Sequence, residues 1–251
     1  LQKGCAADCT GRTWRNRTRV TGKDQYPLVK TFDQGLEFLR EMRKGFLLFT
    51  DRVIFPHEPF MASGEFKAMY PGKTKGKKYE WPDYAPVKES AEEADEIKYS
   101  YFADLTMCDE QLGRLLDYMD EKNLWEDTMV IVNTDHGYML GEHGYWAKNY
   151  MLCYDEIVHT PLFIWDPRFP ESAGTSRAAL VQTIDLPVTI LQFFGIDPAA
   201  DMQGQDISRI IKEDKGSRTC GLFGIFGAHL CCTDGRYVYM RAPRNSESPI
   251  S

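Results

Sequence analysis

The feature that most constrains this chain is a helix-period segment that runs directly into a short, wholly apolar one. Ile97, Tyr101, Leu105, Cys108, Leu112, Leu115, Leu116 and Met119 recur every three or four residues, the spacing of an amphipathic helix of about six turns, with Asn123 near its end. Met129-Val130-Ile131-Val132 follows, inside a strand predicted over 128–133. A strand that is apolar on both faces needs cover on both, which helices supply. Pro161-Leu162-Phe163-Ile164-Trp165 reads the same way. Strands and helices therefore alternate, and the expected class is α/β: a large mixed β-sheet flanked by helices.

The remaining segments fill in that frame. Thr31 with Gln34 reads as a capping box that opens a helix with Phe32, Leu36, Leu39 and Met42 on one face. Gly45 ends it, and Phe46-Leu47-Leu48-Phe49-Thr50 is predicted as another covered strand. From Met61 to Glu96 the chain is rich in Lys, Glu, Pro and Gly, with a basic run from Lys73 to Lys78; this is a long surface excursion and a candidate wall of a substrate cleft. A further helix begins at Asp185, read as an N-cap with Pro187 in the first turn, and stops at Gly195. Thr233-Asp234-Gly235 between two β-rich runs predicts a hairpin, because Asp-Gly adopts the positive φ of a tight turn. A boundary is placed near 213, with 1–212 as the main α/β domain and 213–251 as the start of a small antiparallel sheet.

Composition narrows the function. The net charge of -7 opposes a nucleic-acid partner, which needs a basic face. No apolar run approaches the roughly 18 residues of a membrane span. Leu1-Gln2-Lys3-Gly4-Cys5 lacks the apolar run of a signal peptide, so the expectation is a processed start or a position partway along a longer protein. The seven cysteines form no CxxC pair, and they define neither a zinc site nor a disulfide framework.

Asp135-His136-Gly137 stands at the carboxyl end of the 128–133 strand, where open α/β sheets bind ligands. A carboxylate beside an imidazole suits a divalent cation, and Gly137 lets the backbone turn sharply behind them. Taken alone, the same residues read equally as a turn cap and a loop histidine. They are not alone: Leu140-Gly141-Glu142-His143-Gly144-Tyr145-Trp146-Ala147-Lys148 and Tyr154-Asp155-Glu156 follow at once.

From Asp135 to Pro167 the chain resembles the sulfatase pattern in which S-D-H-G is followed by L-G-E-H-G-x-W-x-K, then Y-D-E, then an apolar strand opening with Pro. Thr134 replaces the usual Ser, and His159 stands where Arg is usual. Upstream, the segment from Phe49 through Pro56-His57-Glu58-Pro59-Phe60 is similar to the family's F-x-x-P-H-x-P-[FYW]. Downstream, Val181-Gln182 with Asp185, Gln203-Gly204-Gln205 and Thr233-Asp234-Gly235-Arg236-Tyr237 resemble it in order. The resemblance spans roughly residues 30 to 245.

It implies an alkaline-phosphatase-like fold, with 1–212 as the later part of the catalytic domain, and a sulfuric ester hydrolase acting on a small-molecule or carbohydrate sulfate ester. Asp135 and His136 would be ligands of one divalent cation, usually calcium; Lys148 would contact the sulfate, and His57 the sulfate or the leaving oxygen. Sulfuryl transfer spreads negative charge over oxygens, which cations and donors stabilise, and imidazole can protonate a leaving oxygen near neutral pH. His143 is expected to be structural and His229 part of the hairpin. The family's nucleophile, a Cys or Ser in C/S-x-P/A-x-R with the Cys oxidised to formylglycine, has no counterpart here: Cys9-Thr10-Gly11-Arg12 lacks the Pro or Ala. It is expected N-terminal to this chain, so the polypeptide alone is expected to be inactive. Two alternatives remain, a phosphodiester or phosphonate ester hydrolase of the same superfamily and a non-catalytic anion- or sugar-binding remnant. Periplasmic, secreted and lysosome-like locations are all compatible with the resemblance.

Overall fold

A computed structural model describes residues 19–42, 45, 47–70, 72, 79–149, 151–225 and 228–243. In chain order its principal elements are helices α1 (Pro27–Glu41), α2 (Gly64–Ala68) and α3 (Ala91–Lys122), strands β1 (Val130–Asn133), β2 (Met139–Leu140) and β3 (Trp146–Ala147), helix α4 (Asp155–Val158), strand β4 (Leu162–Trp165), helices α5 (Asp185–Phe193) and α6 (Ser208–Glu213), and strands β5 (Gly221–Gly224), β6 (Leu230–Thr233) and β7 (Val238–Arg241). Contacts divide the chain into two compact units, Leu1–Leu124 with Met139–Tyr150, and Trp125–Tyr138 with Met151–Ser251. The predicted Lys73–Lys78 run and Cys9-Thr10-Gly11-Arg12 lie outside the described residues.

The first unit is organised by α3. Ser90 caps it by accepting the Glu93 amide at 3.3 Å while Glu93 returns a carboxylate to the Ser90 amide at 3.1 Å, and Asn123 ends it at φ +53°. Both ends are thus satisfied by the residue types that favour them. The buried stripe is Ile97, Ala103, Asp104, Met107, Gln111, Tyr118 and Met119, rotated from the predicted one, since Leu105 is exposed. Leu28 and Phe32 of α1, Phe66 of α2 and Ala103 and Met107 of α3 form the core with Ala62.

Helix α1 starts four residues before the predicted Thr31 capping box. Pro27 takes the first helical position, where its fixed φ suits the helix and its missing N–H costs nothing. Thr31 is then interior, and its hydroxyl donates to the Pro27 carbonyl at 2.9 Å. The predicted strand at 46–50 is also corrected: residues 47–50 join no sheet and Leu48 is 64% exposed. Phe49 stacks on Phe38 of α1 with centroids 5.8 Å apart, over Gly35, where a β-carbon would meet the Phe49 ring at 2.8 Å. Without a ladder partner an apolar extended run packs on the nearest helix instead.

In the second unit β1 and β4 pair antiparallel with Val130 opposite Trp165 and Asn133 opposite Leu162. Ile131, Leu162 and Ile164 pack against Leu186, Ile207, Ile210 and Ile211. Asp185 is not the N-cap of α5; Ile184 is. The buried Asp185 carboxylate instead accepts the amides of Gln182 and Gln205, both at 2.8 Å, and the Arg218 guanidinium. Strands β5, β6 and β7 form a three-stranded antiparallel sheet. Its predicted hairpin is present with a four-residue connection: Thr233 pairs with Val238, Gly235 has φ +89°, and Asp234 accepts the amides of Arg236 and Tyr237. The class is mixed α/β, and among the described residues the sheets are small and antiparallel.

Candidate active site

His57 and Lys148 belong to the first unit, Asp135 and His136 to the second. His57 follows Pro56 in a loop braced from several sides. Its amide donates to the Ile54 carbonyl at 2.9 Å, and its Nδ1 donates to the Glu58 carbonyl at 2.9 Å. Phe60 donates its amide to the Glu80 carbonyl at 2.8 Å, and Met61 donates to Asp104 Oδ2 at 3.0 Å. Asp104 is fully buried on α3. Burial pushes its carboxyl up to about 7 against the opposing pull of the Met61 and Ala62 amides and the Lys67 ammonium.

Lys148 is 9% exposed, a rare setting for an ammonium group. It follows β3, whose Ala147 and Trp146 pair with Met139 and Leu140 of β2. Ala147 and Asn149 on either side both lie at left-handed φ, +68° and +70°. For alanine this costs about 1–2 kcal/mol, strain that persists only where the surroundings over-determine it. Those surroundings come from the predicted surface excursion. Trp146 donates its amide to the Ala85 carbonyl, Val87 donates to Gly144, and the Trp146 indole donates to Glu89 at 2.7 Å. His143 lies in the turn between β2 and β3 at φ +52°.

In the second unit, Asp135 and His136 are adjacent just beyond β1, with Asp135 Oδ2 3.7 Å from His136 Nε2. The Asp135 side chain is 73% exposed, and its Oδ1 accepts the His136 amide at 2.9 Å. His136 Nδ1 lies 3.0 Å from the Gly137 carbonyl. A carbonyl can only accept, so Nδ1 carries the proton and the neutral ring has its lone pair on Nε2, on the Asp135 side. That is how a metal-binding imidazole is set. Gly137 is required by close approach rather than by a sharp turn: it donates to the Ile157 carbonyl at 2.8 Å, and a β-carbon there would fall 1.8 Å from the Glu156 carbonyl oxygen. Among the described residues no group of three His, Cys, Asp or Glu side chains is placed to hold a metal. The pair fits part of a divalent-cation shell, since calcium takes six to eight oxygen ligands.

Sequence reasoning missed Glu58, Tyr84, Glu89 and Asp104. Glu58 had a signal, an acid directly after the candidate histidine and between two prolines; the other three act across long stretches of chain and had none.

The mixed α/β fold recurs among solved phosphonate monoester hydrolases. The phosphonate monoester hydrolase from Silicibacter pomeroyi shares the fold at TM-score 0.72 and 20% identity, over 87% of this chain and 52% of that one. The sulfatase profile matches residues 9–196, and the chain belongs to the sulfatase family. It is 32% identical over 116 residues to the N-acetylglucosamine-6-O-sulfatase of Bacteroides thetaiotaomicron, covering 45% of this chain and 20% of that protein. It is 30% identical over 170 residues to human iduronate 2-sulfatase, covering 56% and 30%. The chain thus spans a fifth to a third of these curated relatives.

Proposed function

We propose that the whole protein is a sulfuric ester hydrolase that cleaves a sulfate ester of a carbohydrate, with Lys148 as the principal cationic contact to the sulfate. The observation that carries this reading is the buried Lys148, flanked by two left-handed residues and following a strand whose Trp146 is bonded to Ala85 and Glu89, within a sulfatase-family chain. A cationic side chain held in a fixed position stabilises charge as it builds on sulfuryl oxygens. His57 supplies the proton to the departing oxygen, its Nδ1 committed to Glu58. Asp135 and His136 hold part of the shell of a divalent cation, proposed to be calcium. Bound there, the cation would act as a Lewis acid on the anionic group.

The nucleophile is proposed to be a formylglycine N-terminal to these residues. Carbohydrate substrates are supported by the names of relatives that act on sulfated sugars. Nucleic acid is not a proposed partner, given the net charge of -7; among the described residues no helix is long and apolar enough to cross a membrane. The sheet β5–β7, whose strands pair with one another, supports reading 213 onward as the opening of a C-terminal subdomain.

The test is sulfate release by the full-length protein from N-acetylglucosamine 6-sulfate, with a phenyl phosphonate ester in parallel. Sulfate release that falls by roughly 100-fold or more in Lys148→Met supports the reading. Preferential cleavage of the phosphonate would replace it with the alternative hydrolase, and binding without turnover of either would point to a non-catalytic protein.

A further inference from the structure

One buried acid beside His57 is not used by the mechanism above. The Glu58 side chain is 1% exposed, and its Oε2 lies 3.4 Å from His57 Nδ1. Its Oε1 accepts the Tyr84 hydroxyl, whereas Oε2 has no hydrogen-bond partner among the described residues. A buried carboxylate oxygen left unmatched is costly, and an N–H beside it relieves that cost. His57 Nδ1 is that N–H: it already donates to the Glu58 carbonyl, so the proton sits on the nitrogen that faces the carboxylate. The other charged groups bracing the loop are engaged elsewhere. Lys67 of α2 pairs with Glu80 at 2.7 Å, and Asp104 of α3 takes the Met61 amide.

We propose that Glu58 and Tyr84 are positioning residues for His57: the hydroxyl fixes the carboxylate, whose charge 3.4 Å from Nδ1 favours the proton that Nδ1 donates to the Glu58 carbonyl, and Nε2 is the ring atom presented to the substrate oxygen. The last step rests on the sulfatase reading; the Tyr84–Glu58–His57 relay of hydrogen bond and charge does not. During ester cleavage the Nε2–H bond of the imidazolium breaks as an O–H bond forms on the departing oxygen. The electron pair stays on Nε2, and the ring is left neutral with Nδ1–H still toward Glu58. A carboxylate orienting an imidazole in one tautomer is a general device of acid–base catalysis.

Nitrogen NMR on the 251-residue chain tests this directly, because only five histidines contribute and His57→Gln assigns the resonance. The wild-type neutral ring should be mostly the Nδ1–H form. In Glu58→Gln that fraction should fall by about twofold, in Tyr84→Phe by less, and Glu58→Asp should restore part of it. Unchanged tautomer populations in a folded Glu58→Gln overturn the proposal; if that variant does not fold, an unchanged spectrum in Tyr84→Phe does. In the full-length protein Glu58→Gln should lower kcat roughly tenfold with little change in KM. A shifted tautomer in a protein that releases no sulfate would uphold the relay and sink the sulfatase reading, so the two failures are separable.

Discussion

His57 and Lys148 follow segments tied by hydrogen bonds to distant parts of the first unit, whereas the exposed Asp135 and the half-buried His136 lie beyond β1 and are shaped by their own backbone. In the first unit the Tyr84 hydroxyl, the Glu89 carboxylate and the carbonyls of Glu80 and Ala85 fix the loops before any ligand arrives. In the second, one amide and one carbonyl orient the Asp135 carboxylate and the His136 ring. The loops that carry His57 and Lys148 are therefore pre-organised by the fold, whereas the Asp135–His136 pair is set by local backbone alone.

This contrast can be broken at four points. The largest effect should come from Asp104. Its folded carboxyl titrates near 7 against 3.8 unperturbed, so the folded form binds the proton more tightly. Stability is intact below the lower value, falls as pH rises from about 4 to 7, and stays reduced above, by about 4 kcal/mol in all. Denaturant unfolding across that range should show the slope in wild type and its loss in Asp104→Asn; equal slopes would remove Asp104 from the account. Next, Gly137→Ala should destabilise the second unit by about 3 kcal/mol through the clash with the Glu156 carbonyl, read as a fall in Tm. A neutral result would mean that the backbone there yields easily.

Asp135→Asn should weaken calcium binding to the full-length protein about tenfold, measured by calorimetry, without altering thermal stability, because the side chain is largely exposed. Unchanged calcium affinity would place the cation elsewhere. The smallest effect is expected from Ala147→Gly, which should stabilise the chain by up to about 1 kcal/mol by relieving a left-handed alanine. In the full-length protein it should lower kcat as Lys148 loosens. A variant that is both more stable and fully active would show that the strain has no part in placing the lysine.

The elements legible from sequence were those with local signals. The apolar strands at Val130–Asn133 and Leu162–Trp165, the long helix ending at Asn123 and the hairpin at Gly235 were all foreseen within a few residues, since periodicity and turn chemistry are properties of neighbours. The strand expected at 46–50 failed because an apolar run needs a partner strand that its own residues cannot specify. Thr31 misled for a different reason: a capping pattern inside a helix looks the same as one at its start, and Pro27 decided between them. The motifs singled out His57, Asp135, His136 and Lys148 as candidates, but not the reason for Gly137, a carbonyl nineteen residues away. Nor could they show that Tyr84 meets Glu58 or that Glu89 meets Trp146.

The segment from Tyr84 to Glu89 touches the histidine loop at one end and the lysine motif at the other. A residue inserted or deleted between those ends would shift both supports together, out of register with each other. The stretch is therefore expected to tolerate exchanges of side chain better than changes of length. Loops that carry no such double attachment are where insertions would be absorbed most easily.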